Sequence, residues 1–155
     1  MPEYASHRIG KDHFYACLRR PPASWATYEL EDGTVAPFGW SECLIEIGPT
    51  NSRYLYVDMS ASDEPIGVEI LDADDKLTAG WRDNVCVDFD RQEVTFGDNR
   101  RIVTATTATY ETLRAELGYD EQKKLVNMRF LQIAPGDPAY DPDRFVDPEF
   151  EAFLA

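Results

Sequence analysis

The sequence predicts an α+β domain: an antiparallel sheet of about eight short strands, forming a half-barrel or a sandwich, then two C-terminal helices and a proline-rich tail. Three observations indicate this fold class. Apolar and polar residues alternate with a period of two through most of the first hundred residues, and turn-forming segments separate these runs. The apolar spacing becomes helical from Thr109. The last 21 residues hold four prolines.

The clearest strands lie in residues 53–75, where two alternating runs flank an acidic connection. Leu55 and Val57 share one face of the first run, and Val68 and Ile70 share one face of the second. Ser, Asp and Pro between the runs favour a hairpin with a longer loop. We therefore expect these four apolar side chains in the core.

The same alternation predicts the other strands. An opening strand or an ordered arm is expected in residues 12–18, and Asp32-Gly33 predicts a tight hairpin between residues 25–31 and 34–38. Residues 43–47 lead into the central pair, while residues 85–90 and 94–96 form another hairpin. The intervening residues 76–83 indicate a loop, and Trp81 is expected to pack beneath it.

Helical spacing predicts two helices near the C-terminus. The first covers residues 109–117, with Thr109 as a cap and Gly118 at its end. The second covers residues 120–133 and begins with an acidic turn. Val126, Met128 and Phe130 also alternate, so a strand is the alternative in this segment, although its length favours a helix.

The chain divides into a single domain over residues 1–134 and an acidic, proline-rich tail over residues 135–155. Asp147-Pro148-Glu149 predicts a short terminal helix that places Phe150 and Phe153 on one face. This aromatic face either docks on its own domain or fills a groove on a partner.

The net charge of −14, from 29 acids and 15 bases, argues against direct binding to nucleic acid. No apolar run reaches the roughly 20 residues of a membrane span, and the N-terminus lacks the apolar centre of a signal peptide. We therefore expect a cytoplasmic protein with no membrane contact. Adaptation to salt is an alternative source of the acidity.

The acids are concentrated in two places, the tail and the central hairpin, and residues 58–75 contain no Lys or Arg. Seven carboxylates rim that hairpin: Asp58, Asp63, Glu64, Glu69, Asp72, Asp74 and Asp75. Tyr54 and Tyr56 fall on one strand face, where they form an aromatic platform unless the predicted helices cover them. These residues, with Phe150 and Phe153, are the predicted partner-binding set.

The sequence contains few signals for catalysis, cofactor binding or metal binding. No P-loop, nucleophile elbow, dinucleotide-binding glycine pattern or HExxH motif is present. His13 and Cys17 are too few for a zinc site, and Asp72-Ala73-Asp74-Asp75 lacks the glycine and distal glutamate of a calcium loop. We predict no cofactor, no metal and no catalytic residue.

Residues 66–75, IGVEILDADD, with the upstream RYLYVDMS, are similar to a small bacterial domain family whose members carry a VGIEILDA-type strand. The resemblance covers residues 53–75 and implies a small β-rich fold. It implies no particular activity. We expect a bacterial or phage protein.

Charge and motifs together favour an acidic protein-interaction domain, such as an inhibitor, immunity or accessory protein. Its basic partner would be a nuclease or another nucleic-acid-binding protein, because carboxylates on a rigid sheet imitate backbone phosphates. Two alternatives are a structural component of a larger complex, and a small-ligand domain or enzyme that uses Asp58 and Glu69.

Overall fold

The computed structural model describes residues 6–19, 27–29, 35–37, 43–47, 54–60, 62–110 and 112–133. Within these residues the chain is almost entirely extended, with one single-turn helix, α1 (Ala73–Lys76), and two 3₁₀ turns. The strands are β1 (His7–Gly10), β2 (His13–Cys17), β3 (Thr27–Glu29), β4 (Val35–Pro37), β5 (Cys43–Ile47), β6 (Leu55–Met59), β7 (Pro65–Leu71), β8 (Val85–Asp88), β9 (Glu93–Phe96), β10 (Thr104–Tyr110), β11 (Leu113–Tyr119) and β12 (Leu125–Gln132).

The predicted α+β fold is wrong, because the two segments expected to be helices are strands. Residues 109–117 contribute to β10 and β11, and residues 120–133 form β12 and the turn before it. In β11 the buried Leu113, Ala115 and Leu117 alternate with the partly buried Arg114 and Glu116. Leu113 and Leu117 are four positions apart, a spacing that places both on one face of either a helix or a strand. Pairing with the neighbouring strands selects the extended conformation.

Two antiparallel sheets account for ten of the described strands. Sheet 1 has the order β1-β2-β7-β6-β5, and sheet 2 has the order β10-β11-β12-β9-β8. The remaining strands, β3 and β4, pair with each other antiparallel, as the predicted hairpin requires, and Asp32-Gly33 itself lies outside the described residues. The predicted pairings of β6 with β7 and of β8 with β9 are also confirmed, and Val57 lies opposite Val68 in register.

The core lies between the two sheets. Leu55, Val57, Val68 and Ile70 have no exposed surface, which confirms their predicted place in the core. Burial of each side chain contributes on the order of 1.5–3 kcal/mol relative to exposure. The ring of Phe14 in β2 meets the ring of Phe96 in β9 edge to face at 4.9 Å between centroids, and this contact joins the sheets.

The segment that crosses from sheet 1 to sheet 2 closes one end of this sandwich. It contains α1 and the 3₁₀ turn Trp81–Asp83, and Trp81 is buried beneath it as predicted. The backbone N–H of Thr78 donates to the Leu125 carbonyl at 3.0 Å, which ties the segment to β12. No helix among the described residues has the length and apolar content that crossing a membrane requires. The predicted tail, residues 135–155, lies outside the described residues.

Candidate interaction surface

The β6–β7 loop and the β8–β9 loop lie side by side at the end of the sandwich away from α1. The side-chain Nε2 of Gln92 donates to the Pro65 carbonyl at 3.1 Å, and Nε2 of Gln132 donates to the Ser62 carbonyl at 3.0 Å. These bonds join sheet 1 to sheet 2. We refer to residues 62–65 and 88–92 together as the loop end.

Short-range hydrogen bonds shape both loops. The Ser60 hydroxyl accepts from the backbone N–H groups of Ser62 and Glu64, each at 3.2 Å. One oxygen of Asp88 accepts from the N–H groups of Asp90 and Arg91 at 3.0 and 3.2 Å. Ser and Asp are suited to such turns because their short polar side chains replace backbone acceptors. The loops therefore present their charged side chains from a fixed backbone.

Negative charge exceeds positive charge at the loop end and directly beside it. The carboxylates are Asp63, Glu64, Asp88, Asp90 and Glu93, and the guanidinium groups are Arg19, Arg91 and Arg129, whose Nε donates to the Arg91 carbonyl at 3.3 Å. Arg19 Nη1 lies 2.6 Å from Glu64 Oε2, and Arg91 Nε lies 3.9 Å from Glu93 Oε1. The exposed carboxylates of Asp63 and Asp90 make no hydrogen bond or ion pair within the described part of the chain. These two groups are available to an external cation.

A groove of about 260 Å³ opens between the two loops. Its walls are formed by Arg19, Glu64, Pro65, Phe89, Asp90, Gln92 and Gln132. The volume lies below the range of typical small-molecule pockets. The groove therefore suits a single side chain better than a complete metabolite.

The predicted acidic residues of the central hairpin do not form one patch. Asp63 and Glu64 lie at the loop end, whereas Asp72, Asp74 and Asp75 lie beyond the other end of β7. That strand has seven residues, so about 20 Å separates the two groups. Between them, the half-buried Glu69 lies on the outer face of sheet 1, with its Oε1 3.5 Å from His13 Nε2.

The two acids within α1 pair with cations of the same chain. Asp74 accepts from Arg82 Nε and Nη2, each at 3.1 Å, and from the Trp81 indole at 3.2 Å. The hydrogen bond from Arg82 is the main reason that the pKa of Asp74 is lowered. The pKa of Asp75 is also lowered, chiefly by the charge of Lys124, with a hydrogen bond from Lys76 and its charge adding to the effect.

Asp72 differs from these two acids. It is exposed with a φ of 53°, and its carboxylate has no partner among the described residues. Of the three acids beyond this end of β7, only Asp72 therefore presents an uncompensated carboxylate.

Burial removes Asp58 and Tyr54 from the predicted partner-binding set. Asp58 is only 5% exposed and accepts from the Tyr15 hydroxyl at 3.3 Å. Tyr54 is 4% exposed, and its hydroxyl lies 3.2 Å from that of Tyr119 in the core. Tyr56 is half-buried in β6, so the two tyrosines form no common platform. Phe150 and Phe153 lie outside the described residues.

Sequence reasoning missed the contribution of the β8–β9 loop. Asp88 and Asp90 look like the polar face of a strand, and Phe89 like part of its apolar face. The two glutamines carry no sequence signal at all. Only the stacking of the two sheets brings these residues to Asp63 and Glu64.

Within the described ranges, no three His, Cys, Asp or Glu side chains are arranged to hold a metal ion. His13 and Cys17 lie at opposite ends of β2, about 13 Å apart, and do not share a site. No family model, curated protein or solved structure matches the chain. The functional interpretation therefore rests on the geometry of the loop end, and the family resemblance of residues 53–75 stays a prediction.

Proposed function

We propose that this protein is an acidic interaction domain that binds a basic partner protein, as an inhibitor, an immunity protein or an accessory protein. The observation that supports this function is the convergence of two acidic loops from different sheets at the loop end. There Asp63 and Asp90 expose carboxylates without a cation from the described residues. A basic surface supplies the missing counter-charge.

The negative charge of this surface affects both the rate of association and the choice of partner. Opposite charge raises the rate of diffusional encounter, and like charge repels nucleic acid that competes for the same partner. A nuclease or another nucleic-acid-binding protein is therefore the class of partner that fits. The net charge of −14 acts over the whole chain and strengthens this attraction.

Rigidity of the loop end supports the same function. Gln92 and Gln132 fasten the two loops to each other, and Ser60 and Asp88 hold the backbone inside each loop. Binding then orders few additional groups, which lowers its entropic cost. In this proposal Phe150 and Phe153 of the acidic C-terminal segment add an apolar contact with the partner.

Salt dependence tests the proposal once the partner is in hand. The partner is captured from the native host, purified and titrated calorimetrically at about 50 mM and about 500 mM NaCl, where the Debye length falls about threefold. We expect affinity to fall at least about tenfold at the higher salt, mostly through slower association. An affinity that is equal at both salt concentrations overturns the proposal.

A further inference from the structure

The strand β10 (Thr104–Tyr110) lies at one end of sheet 2 and has an open outer edge. It pairs with β11 through all seven of its residues, and no strand of the described chain pairs with its other side. In an antiparallel ladder, alternate residues direct both their N–H and C=O groups away from the paired neighbour. Ala105, near the middle of the strand, is exposed. The outer edge of β10 therefore presents a row of backbone donors and acceptors to a further strand.

This edge lacks the features that usually block pairing. Natural proteins protect sheet edges with charged residues, with proline or with short strands. The other terminal strands of the two sheets carry such protection: β1 has Arg8, β5 has Glu46, and β8 has four residues that include Asp88. Residues 102–110 (IVTATTATY) contain neither a charge nor a proline, in a chain of which 28% is charged. Among these terminal strands, β10 is thus the one built to accept another strand.

We infer that a second copy of this chain pairs its own β10 with this edge, antiparallel and about a two-fold axis, so that two five-stranded sheets join into one. Charge selects this occupant. A net charge of −14 repels a second copy wherever acids lie, whereas at β10 two copies meet through uncharged threonine and alanine. Pairing β1 or β5 with its own copy would instead bring Arg8 or Glu46 close to its counterpart. A basic partner would find no counter-charge on β10.

Antiparallel pairing also keeps the acidic loop ends of the two copies apart. Tyr110 pairs with Leu113, which pairs with Gln132 at the loop end, so β10 runs toward that end of the sandwich. In the second copy β10 runs the other way, and the two loop ends point in opposite directions. A basic partner can then bind each copy, and the inference does not depend on the proposed function.

Thr106 gives an independent reason for a cross-strand contact here. The residue is only 9% exposed, and its buried Oγ1 has no hydrogen-bond partner in the described part of the chain. A buried hydroxyl without a partner is costly. If Thr106 lies on the two-fold axis, rotation about χ1 lets its hydroxyl bond with that of Thr106 in the second copy. The same register places Ala105 opposite Thr107 of the second copy.

Sedimentation velocity of the full chain between about 5 and about 500 µM tests the inference. A reducing agent is present because the exposed Cys86 could otherwise cross-link two copies. We expect a reversible shift from the 17.6 kDa monomer to twice that mass, with a dissociation constant on the order of 10–100 µM, since one strand pair is a small interface. A chain that stays monomeric at about 500 µM, or that forms larger particles than a dimer, overturns the inference. The basic-partner proposal is tested separately, by its salt titration.

Two double variants test the register. Ala105→Lys with Thr107→Lys sets like charges directly opposite each other in the dimer, and we expect the dissociation constant to rise at least about tenfold. Ala105→Lys with Thr107→Glu sets opposite charges there, and we expect a value within about threefold of wild type. Thr106→Val removes the hydroxyl but keeps the branched shape, and should weaken the dimer about threefold.

Ala79→Lys is the matched control, because it makes the same change at an exposed alanine outside the sheets. It is expected to leave the dimer unchanged, and circular dichroism verifies that every variant is folded. Loss of the dimer in the double-lysine variant with its return in the lysine–glutamate variant supports the two-fold pairing of β10. Equal loss in both double variants, or loss in Ala79→Lys, overturns it. An unchanged dimer in Thr106→Val overturns the placement of Thr106 on the axis.

Discussion

The Asp120 carboxylate accepts a hydrogen bond from the Thr78 hydroxyl over 2.7 Å, and both residues are buried. The other carboxylate oxygen accepts from the backbone N–H groups of Gln122 and Lys124 at 2.9 and 3.0 Å. One side chain therefore shapes the β11–β12 turn and fastens it to the segment that crosses between the sheets.

Replacing Asp120 with alanine is expected to lower the free energy of unfolding by about 2–3 kcal/mol, because three donors lose their acceptor. Urea denaturation at pH 7 measures this loss. Glu121→Ala is the matched control: Glu121 is the exposed neighbour, and we expect a change within about 0.5 kcal/mol. Equal effects of the two substitutions would contradict a structural role for the Asp120 hydrogen bonds.

Low pH is expected to weaken the attachment of the β11–β12 turn to Thr78 through Asp120. Burial raises the pKa of Asp120, but hydrogen bonds from Thr78, Lys124 and Gln122 outweigh it, so the pKa lies below the ordinary value of 3.8. A carboxyl group whose pKa is lower in the folded chain than in the unfolded chain stabilises the fold fully when the pH is above its pKa in the unfolded chain. That stabilisation is lost as the pH falls through its pKa in the folded chain. The free energy of unfolding of wild type should therefore drop below about pH 4 more steeply than that of Asp120→Asn. Parallel curves for the two proteins between pH 7 and pH 2.5 would refute this assignment.

Gly67 should not tolerate a side chain. A Cβ atom there would lie 2.2 Å from the Tyr15 hydroxyl oxygen and 2.8 Å from its ring carbon Cζ, because Tyr15 crosses over Gly67 to reach Asp58. We expect Gly67→Ala to cost about 1–3 kcal/mol by overpacking. Thermal and urea unfolding measure the cost.

Gly10→Ala is the control for that substitution. Its added Cβ would have His13 as nearest neighbour, at 3.4 Å, and would make an ordinary contact. If Gly67→Ala proves as mild as Gly10→Ala, Tyr15 is not held over the strand.

Most strands before residue 100 could be predicted because apolar residues alternate along them and turn residues separate them, but β1 was not predicted. The C-terminal helices were mispredicted for a local reason. Asp120 bonds to the N–H groups two and four positions ahead, which resembles the chemistry of a helix cap, so the residue types at a turn and at a helix start coincide. Pairing of β12 with β9 and β11 decides the outcome, and that contact is not local.

Only part of the loop end could be predicted from the sequence. Asp63 and Glu64 stand out as acids in a turn, but their neighbours Phe89 and Asp90 come from a hairpin about 25 residues later in the chain. Sheet stacking, which local spacing does not encode, brings the two loops together. Asp58 was predicted to be exposed and is buried. Alternation places it on the outer face of sheet 1, where the Tyr15 side chain covers it and donates a hydrogen bond to it.

Trp81 is expected to be among the most costly residues to truncate. Its ring meets Phe14 at 5.9 Å and Phe96 at 6.1 Å between centroids, both edge to face, and only 4% of the residue is exposed. Trp81→Ala should lower the free energy of unfolding by about 3–5 kcal/mol. Circular dichroism during chemical denaturation gives the value.

A second substitution separates the ring contacts of Trp81 from its burial alone. In a double-mutant cycle with Phe96→Leu, Trp81→Leu should show a coupling of about 0.5–1.5 kcal/mol. Val103→Ala, at a residue 59% exposed, controls for general sensitivity and should stay within about 0.5 kcal/mol. Additive effects of the Trp81 and Phe96 substitutions would show that the edge-to-face contact contributes nothing beyond burial.

Two of the three cysteines, Cys17 and Cys86, should differ sharply in reactivity. Cys17 is 1% exposed, and burial raises its pKa to about 12, with the charge of Arg8 opposing the shift. At pH 8 such a thiol is ionised to roughly one part in ten thousand, and only the thiolate reacts. Cys86 is exposed on β8. Iodoacetamide at pH 8, followed by peptide mass mapping, should label Cys86 in the native protein and label Cys17 only after denaturation. The Cys86→Ser variant should lose the label on that peptide while Cys17 stays protected. Comparable labelling of Cys17 and Cys86 in the native protein would mean that β2 opens to solvent far more often than its burial implies.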